Sequence, residues 1–513
     1  MGGEYNHRMA IVVRVVLGFL LAASSIVSVA AELDTASTII VNARIVDGTG
    51  APARKGAVRL QGDRIVAVGE LEPAPGELIV DAGGLTLTPG FIDTHSHHDR
   101  GIFEHRDAMA AVSQGITTIV AGQDGSMTYP IKYLFDRLQQ TPAAINVASY
   151  IGHGNIREFV MNADFARAAR PEEIERMRRL VSEGMGYGAL GLATGLEYDP
   201  GIYSTTDELL VLAKEVAGFR GRYISHIRSE DRYFWAAVDE IVRIGREAKI
   251  PVQISHMKLA MVDWWGQSQR LIDVLERARS EGVDITGDVY PYEYWQANLG
   301  VLFPRRDFTN RETAEFALKS IAPPDGLRIT GFPPEPALEG LTIAQIAERS
   351  SMTPAEVLMD LTQRSAVMGN NDDVIGTSMR SDDVAALTAW PHANICSDGS
   401  LVGKHPRGTG AFTKVLRVYV REQKLLSFEE AIHKMTGLSA AHMGFADRGV
   451  IRPGAHADLV LLDPEQVSDR STIEHPEALS VGISKVWVNG VVVLDEGEAT
   501  GHYPGQVIRR VDP

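Results

Sequence analysis

Apolar residues fall into two rhythms along this chain. Between Thr38 and Pro89 they alternate with polar ones in short runs, STIIVNARIVDG, AVRLQGDRIVAVG and ELIVDAGGLTLTPG, separated by Gly, Asp and Asn. A period of two broken by turn residues predicts a small antiparallel sheet. The same texture returns near the other end in GVIRPGAHADLVLLDPE and SVGISKVWVNGVVVLDEG, where Val486 to Val493 flank an Asn-Gly turn at Asn489 and Gly490. Two β segments of like composition around a long middle predict one small β-sandwich domain built from both termini, over residues 33–89 and 440–513.

The middle has the second rhythm. Strand-like apolar runs at Gly90–Asp93, Ile116–Ala121, Ala144–Ile151, Gly188–Ala193, Arg222–Ile227, Pro251–Ser255, Val283–Val289 and Ala393–Cys396 are mostly separated by helix-like text such as EEIERMRRLVSEGM and DELLVLAKEVAGF. Eight strands alternating with helices predict an α/β fold of the TIM-like (β/α)8 barrel type over residues 90–439. Between the seventh and eighth runs the chain is too long for a simple crossover. Its helical phrases LTIAQIAERSS and TPAEVLMDLTQRS predict an insert subdomain over about residues 295–389.

Composition narrows the class. With 44% hydrophobic and 23% charged residues over 513 positions, the chain is neither disordered nor a small disulfide scaffold. A net charge of −16 argues against a nucleic-acid partner. One cysteine, Cys396, excludes an intramolecular disulfide and any site needing two thiolates. At the N-terminus Arg8 and Arg14 precede an apolar run, Val15 to Val29, with Ser28 and Ala30 at the positions a signal peptidase reads. This predicts a cleavable signal peptide over residues 1–30 and export to a periplasm or beyond, with no stable membrane anchor after cleavage. An uncleaved anchor is the competing reading of so short a run.

The sharpest local signal is GFIDTHSHHD. On a strand, side chains two apart share a face, so His95 and His97 can reach one metal ion. His226 in YISHIRSE, His256 in VQISHMKLA and Asp398 in ANICSDGS each end a later strand-like run, and barrel enzymes gather their functional groups at such C-terminal strand ends. Taken singly, each residue is more often a satisfied histidine or a turn aspartate; it is their coincidence with the HSH pair that points to a shared site.

This series, bracketed by terminal β segments, resembles the amidohydrolase superfamily. The phrases GITTIVAG, GHGNIR, GLATGLEYDPGIYSTTDELLVLAKEVA, ISHIRSE, ISHMK, DVYPY, SDGS and HPRGTGAF resemble more narrowly the N-acyl-D-amino-acid deacylases, or D-aminoacylases, over about Thr38 to Val493. The resemblance implies hydrolysis of the amide of a small N-acyl-D-amino acid, releasing a carboxylate and a free D-amino acid. It implies one or two zinc ions, with other divalent metals as substitutes. His95 and His97 would hold one ion with Asp398, which also serves as general base and then acid toward a metal-activated water; His226 and His256 would hold the second. The family has a cysteine after GITTIVAG, whereas this chain reads GQDG and places Asp124 there. An aspartate is a hard anionic ligand able to bridge two ions or bind one. Asp124 as a plain turn residue is the competing reading. Glu197 is a rival for the bridge, and its run GALGLATGLEY has no lysine to carboxylate.

By the same resemblance Lys258 and Arg407 match the cations that bind the substrate carboxylate, a tyrosine of DVYPYEY, Tyr290 or Tyr292, adds a hydroxyl, and Tyr203 contacts substrate. His153 faces the oxyanion or stands behind the ligands, or is a buried structural histidine. Two other functions compete: a cyclic-amide hydrolase or unusual-linkage dipeptidase of the same superfamily, and a non-catalytic metal- or solute-binding protein. No motif specifies oligomeric state, and substrate chirality comes from the resemblance alone.

Overall fold

The computed structural model describes residues 37–510, so the expected signal peptide, residues 1–30, lies outside the described residues. Among the described residues no helix is long and apolar enough to cross a membrane.

Eight barrel strands follow the chain: β1 (Phe91–Asp93), β2 (Ile116–Ala121), β3 (Asn146–Ser149, resumed after Tyr150 as Ile151–Gly152), β4 (Gly191–Gly195), β5 (Arg222–His226), β6 (Val252–Ile254), β7 (Ile285–Val289) and β8 (Ala393–Ile395). All neighbouring ladders are parallel, β1-β2-β3 on one side and β3-β4-β5-β6-β7-β8 on the other. Strands covered on both faces must be apolar throughout, and every residue of ITTIVA in β2 is buried. The ring closes just beyond the strand ends, where Asp398 N–H donates to His95 O at 2.9 Å and His97 N–H to Gly399 O at 2.8 Å.

Helices separate the strands as the alternation predicts. Phe234–Ala248 buries Phe234, Ala237, Val238, Ile241, Ile244 and Ala248, a spacing of three and four that turns one face inward. Thr206–Gly218 is capped by Thr205, whose hydroxyl accepts the Glu208 N–H at 3.2 Å. β4 starts later than the expected Gly188. Gly188 adopts φ +96° in the turn that ends helix Pro171–Gly186, so extended backbone resumes only at Gly191.

The terminal segments join in a single nine-stranded sheet. Thr86–Pro89 from the N-terminal side pairs antiparallel with Leu459–Leu462 from the C-terminal side. Ser37–Ile45 divides its parallel partners, with Thr38 to Val41 beside Leu78–Asp81 and Arg44 to Ile45 beside Thr86–Pro89. The Asn489-Gly490 turn has φ of 48° and 80°, the left-handed pair that a tight hairpin requires. After β7 the chain forms a separate three-stranded antiparallel sheet, Tyr294–Ala297, Asp373–Thr377 and Leu327–Gly331, under the helices Arg311–Ser320, Ile343–Ser350 and Pro354–Val367, with its own apolar cluster. Capping boxes at Thr342/Gln345 and Thr353/Glu356 start the last two helices.

Candidate metal centre

At the C-terminal mouth of the barrel, His95 and His97 extend past β1, Asp124 lies past β2, His226 ends β5, His256 follows β6 and Asp398 follows β8. His95 Nε2 stands 3.4 Å from Asp124 Oδ2 and 3.5 Å from Asp398 Oδ1. His97 Nε2 lies 3.2 and 3.4 Å from the same two oxygens. The other Asp124 oxygen, Oδ1, is 3.4 Å from His256 Nε2, which is 3.0 Å from His226 Nδ1. Asp124 thus turns one oxygen to each histidine pair. Its carbonyl packs where a Cβ on Gly195 would come within 2.1 Å, so β4 must end in glycine to admit this loop.

These residues fit divalent cations. Two donors each ~2.0–2.1 Å from one tetrahedral ion stand roughly 3.3 Å apart, the spacing seen between the rings and carboxylates. Both ring nitrogens of His95 and Oδ1 of Asp124 are buried with no hydrogen-bond partner, a costly state unless a further group uses their lone pairs. Asp124, His256 and Asp398 hold φ of 54°, 35° and 49°, backbone strain of the kind kept where a site over-determines it. Burial alone would lower the pKa of His95, but Asp124, Asp288 and Asp398 outweigh it and raise it to about 9. Burial likewise resists ionisation of Asp398, yet Arg407, His95 and His256 hold its carboxyl far below the usual range.

A cavity opens beside this cluster, lined by His226, His256, Asp398, Lys258, Tyr290 and Arg407 among others, and adjoins a larger polar cleft that reaches His97 and Asp124. Arg407 Nη1 pairs with Asp398 Oδ2 at 2.6 Å. Lys258 Nζ donates to both oxygens of Glu230 at 2.7 and 2.8 Å. The Tyr290 hydroxyl is buried without a hydrogen-bond partner, and burial pushes its pKa up to about 12, so it remains a donor at neutral pH.

A sequence profile described as the amidohydrolase family matches residues 78–319 and 340–494. The chain belongs to the amidohydrolase family. It is 36% identical over 500 residues to the N-acyl-D-aspartate deacylase of Alcaligenes xylosoxydans xylosoxydans, covering 92% of this chain and 95% of the relative. It is 34% identical over 497 residues to the D-aminoacylase of the same organism, covering 92% and 97%. Among solved structures, the N-acyl-D-glutamate deacylase of Bordetella bronchiseptica, complexed with zinc and a phosphonate inhibitor that mimics the tetrahedral intermediate of the reaction, superposes with a TM-score of 0.84 at 35% identity, over 93% of this chain and 100% of that one.

Within this amidohydrolase the structure brings together His95, His97, Asp124, His226, His256, Asp398, Lys258, Arg407 and Tyr290. Three expected residues lie elsewhere. Tyr292 shares its parity with Tyr290, but β7 ends at Val289 and a tight turn, Tyr292 N–H to Tyr290 O at 3.0 Å, redirects the chain. Its hydroxyl donates to Pro406 O at 3.3 Å and Lys414 covers its ring, away from the cavity. Tyr203 packs on Phe165 in the short turn Gly201–Tyr203. His153 is fully buried, its Nε2 2.9 Å from Glu208 Oε1, and Arg157 holds the other oxygen, so the trio ties helix His153–Met161 to helix Thr206–Gly218. Glu197 is not between the histidine pairs but behind one of them, with Oε2 3.2 Å from His226 Nε2.

Two acidic residues escaped sequence reasoning. Asp288, in DVYPY, lies 3.8 Å from His95 Nδ1, accepts the His256 N–H and the Gln253 amide, and is 3.2 Å from Cys396 Sγ. Glu230, in ISHIRSE, sits against Lys258 and His256. Position two before Tyr290 on a strand, and position four after His226, were the available signals.

Proposed function

We propose that this amidohydrolase hydrolyses the amide bond of N-acyl-D-amino acids to a carboxylate and a free D-amino acid, with zinc in one or two sites formed by His95, His97, Asp124, His226, His256 and Asp398. The observation that carries the reading is the convergence of these donors with Lys258, Arg407 and Tyr290 on one pair of adjoining cavities. The substrates named for the relatives agree with it.

A divalent ion held there supplies, when bound, Lewis acidity toward the amide carbonyl and a water of lowered pKa. The protein's own groups do the rest. Asp398 has Oδ1 beside the candidate ligands and Oδ2 on Arg407, so Oδ1 is in place to take the proton of the attacking water and hand it to the departing nitrogen. Arg407 and Lys258 receive the substrate carboxylate, which fixes the scissile bond relative to Asp398. Tyr290, aimed into the cavity with a free hydroxyl, donates a further hydrogen bond. Export rests on the pattern Arg8 to Ala30 and predicts a mature chain beginning near Ala31, readable by mass spectrometry of the N-terminus.

The substrate class is tested by stripping the purified enzyme with a chelator, reloading zinc, and assaying amine release from a panel of N-acetyl-D-amino acids beside ring opening of hydantoin and dihydrouracil. Turnover of the linear amides is expected. Turnover confined to the cyclic amides would replace the proposal with its superfamily rival.

A further inference from the structure

Glu230 touches both halves of the site. Its side chain is 12% exposed, with Oε1 3.1 Å from His256 Nδ1 and 2.7 Å from Lys258 Nζ. Oε2 accepts from Lys258 Nζ at 2.8 Å and stands 3.9 Å from His226 Nε2. The Glu230 N–H donates to Glu197 Oε1 at 2.6 Å, which locks the loop after β5 against the carboxylate behind His226.

We infer that Glu230 is a positioning residue that orients the His256 ring and restrains the Lys258 ammonium with one carboxylate, and so couples the metal centre to binding of the substrate carboxylate. This rests on the reading of Lys258 given above. The two nitrogens of His256 face opposite ways, Nε2 toward Asp124 Oδ1 at 3.4 Å and Nδ1 toward Glu230. An imidazole that gives its Nε2 lone pair to a cation carries its proton on Nδ1, and that proton needs an acceptor. Lys258 Nζ, 2.6 Å from the same Nδ1, has only protons to offer, so it cannot fill the role. Both donors therefore turn to Glu230, and Oε1 is shared. A substrate carboxylate that draws Lys258 away leaves Glu230 wholly to His256. By linkage the effect is reciprocal: carboxylate binding tightens the metal centre, and an occupied centre tightens carboxylate binding.

The test is a double-mutant cycle in the full chain, read by competition for zinc against a chromogenic chelator and by KM and kcat at saturating zinc. Glu230→Gln is expected to weaken zinc ~10–100-fold, the usual cost of losing a carboxylate behind a ligating histidine, and to raise KM more than it lowers kcat. A carboxylate that merely neutralised Lys258 would behave differently, because adding Lys258→Met would then restore zinc affinity. With Glu230 orienting the His256 ring, the double variant keeps the zinc defect. Unchanged zinc affinity in Glu230→Gln, or its restoration by Lys258→Met, would overturn this role. Should Glu230→Gln not fold, Lys258→Met alone decides, with zinc binding expected to tighten several-fold and an unchanged or weaker affinity contradicting the coupling. Zinc affinity is read without substrate, so absence of turnover on D-amides would refute the proposed function while leaving the positioning of His256 separately measurable.

Discussion

Asp124 combines a left-handed backbone, which aspartate tolerates better than most residues, with a carboxylate split between two histidine pairs. Asp124→Ala should therefore lower bound zinc per chain, measured by elemental analysis after gel filtration, and turnover should fall with it. Asp124→Cys should retain zinc but discriminate more strongly against manganese, because a thiolate is the softer ligand. Asp398→Asn keeps the shape of its side chain and loses the proton acceptor, so kcat should drop ~10²–10⁴-fold at saturating zinc. His95 and His97 were legible because two-residue spacing at a strand end is local information. Asp288 and Glu230 were not, since what they do depends on which rings the other strands bring within reach. Tyr292 stood beside Tyr290 as an alternative because the resemblance does not choose between them, and only the turn after β7 decides which hydroxyl faces the cavity.

At the scale of elements, the strand runs were readable because strands buried on both faces must be continuously apolar, and the errors fell where glycine chemistry sets a boundary, as at Gly188. The insert was readable as helices in the phrases LTIAQIAERSS and TPAEVLMDLTQRS. Its sheet was hidden, because Leu327–Gly331 pairs with Asp373–Thr377 far along the chain. This sheet gives the cavity one wall: Trp295 lines the cavity, with its indole N–H donating to Ser378 Oγ at 2.7 Å. A Cβ on Gly376 would come within 2.3 Å of the Trp295 ring. Gly376→Ala should push that ring toward the cavity at ~1–3 kcal/mol of overpacking, raising KM in steady-state assays and lowering the melting temperature together.

At the scale of the whole molecule, buried polar contacts join the C-terminal part of the terminal sheet to the barrel. Asn146 of β3 donates to Asp458 Oδ2 at 3.2 Å, Asn489 donates to Asn146 Oδ1 at 2.7 Å, and buried Arg448 holds both Asp458 and Asn489. Asp458→Ala strands that guanidinium, and a loss of ~3–5 kcal/mol is expected in urea unfolding, with zinc content of the folded protein unchanged. Each of these residues looks like an ordinary turn or strand polar group in the sequence; the network exists only once residues hundreds of positions apart meet. The barrel mouth carries Asp124, Glu197, Glu230, Asp288 and Asp398 against Lys258 and Arg407, so stripping divalent ions should lower the melting temperature and restoring zinc should raise it, with the logarithm of the zinc concentration over its dissociation constant.

Hydrolysis of D-acylamino acids by a zinc-dependent centre is decided by initial rates of amine release from N-acetyl-D-methionine and N-acetyl-L-methionine, each with chelator-stripped and zinc-reloaded enzyme. Turnover of the D enantiomer alone, and only after zinc is restored, is expected. Equal rates for both enantiomers, or a D-specific rate that survives removal of the metal, would contradict it.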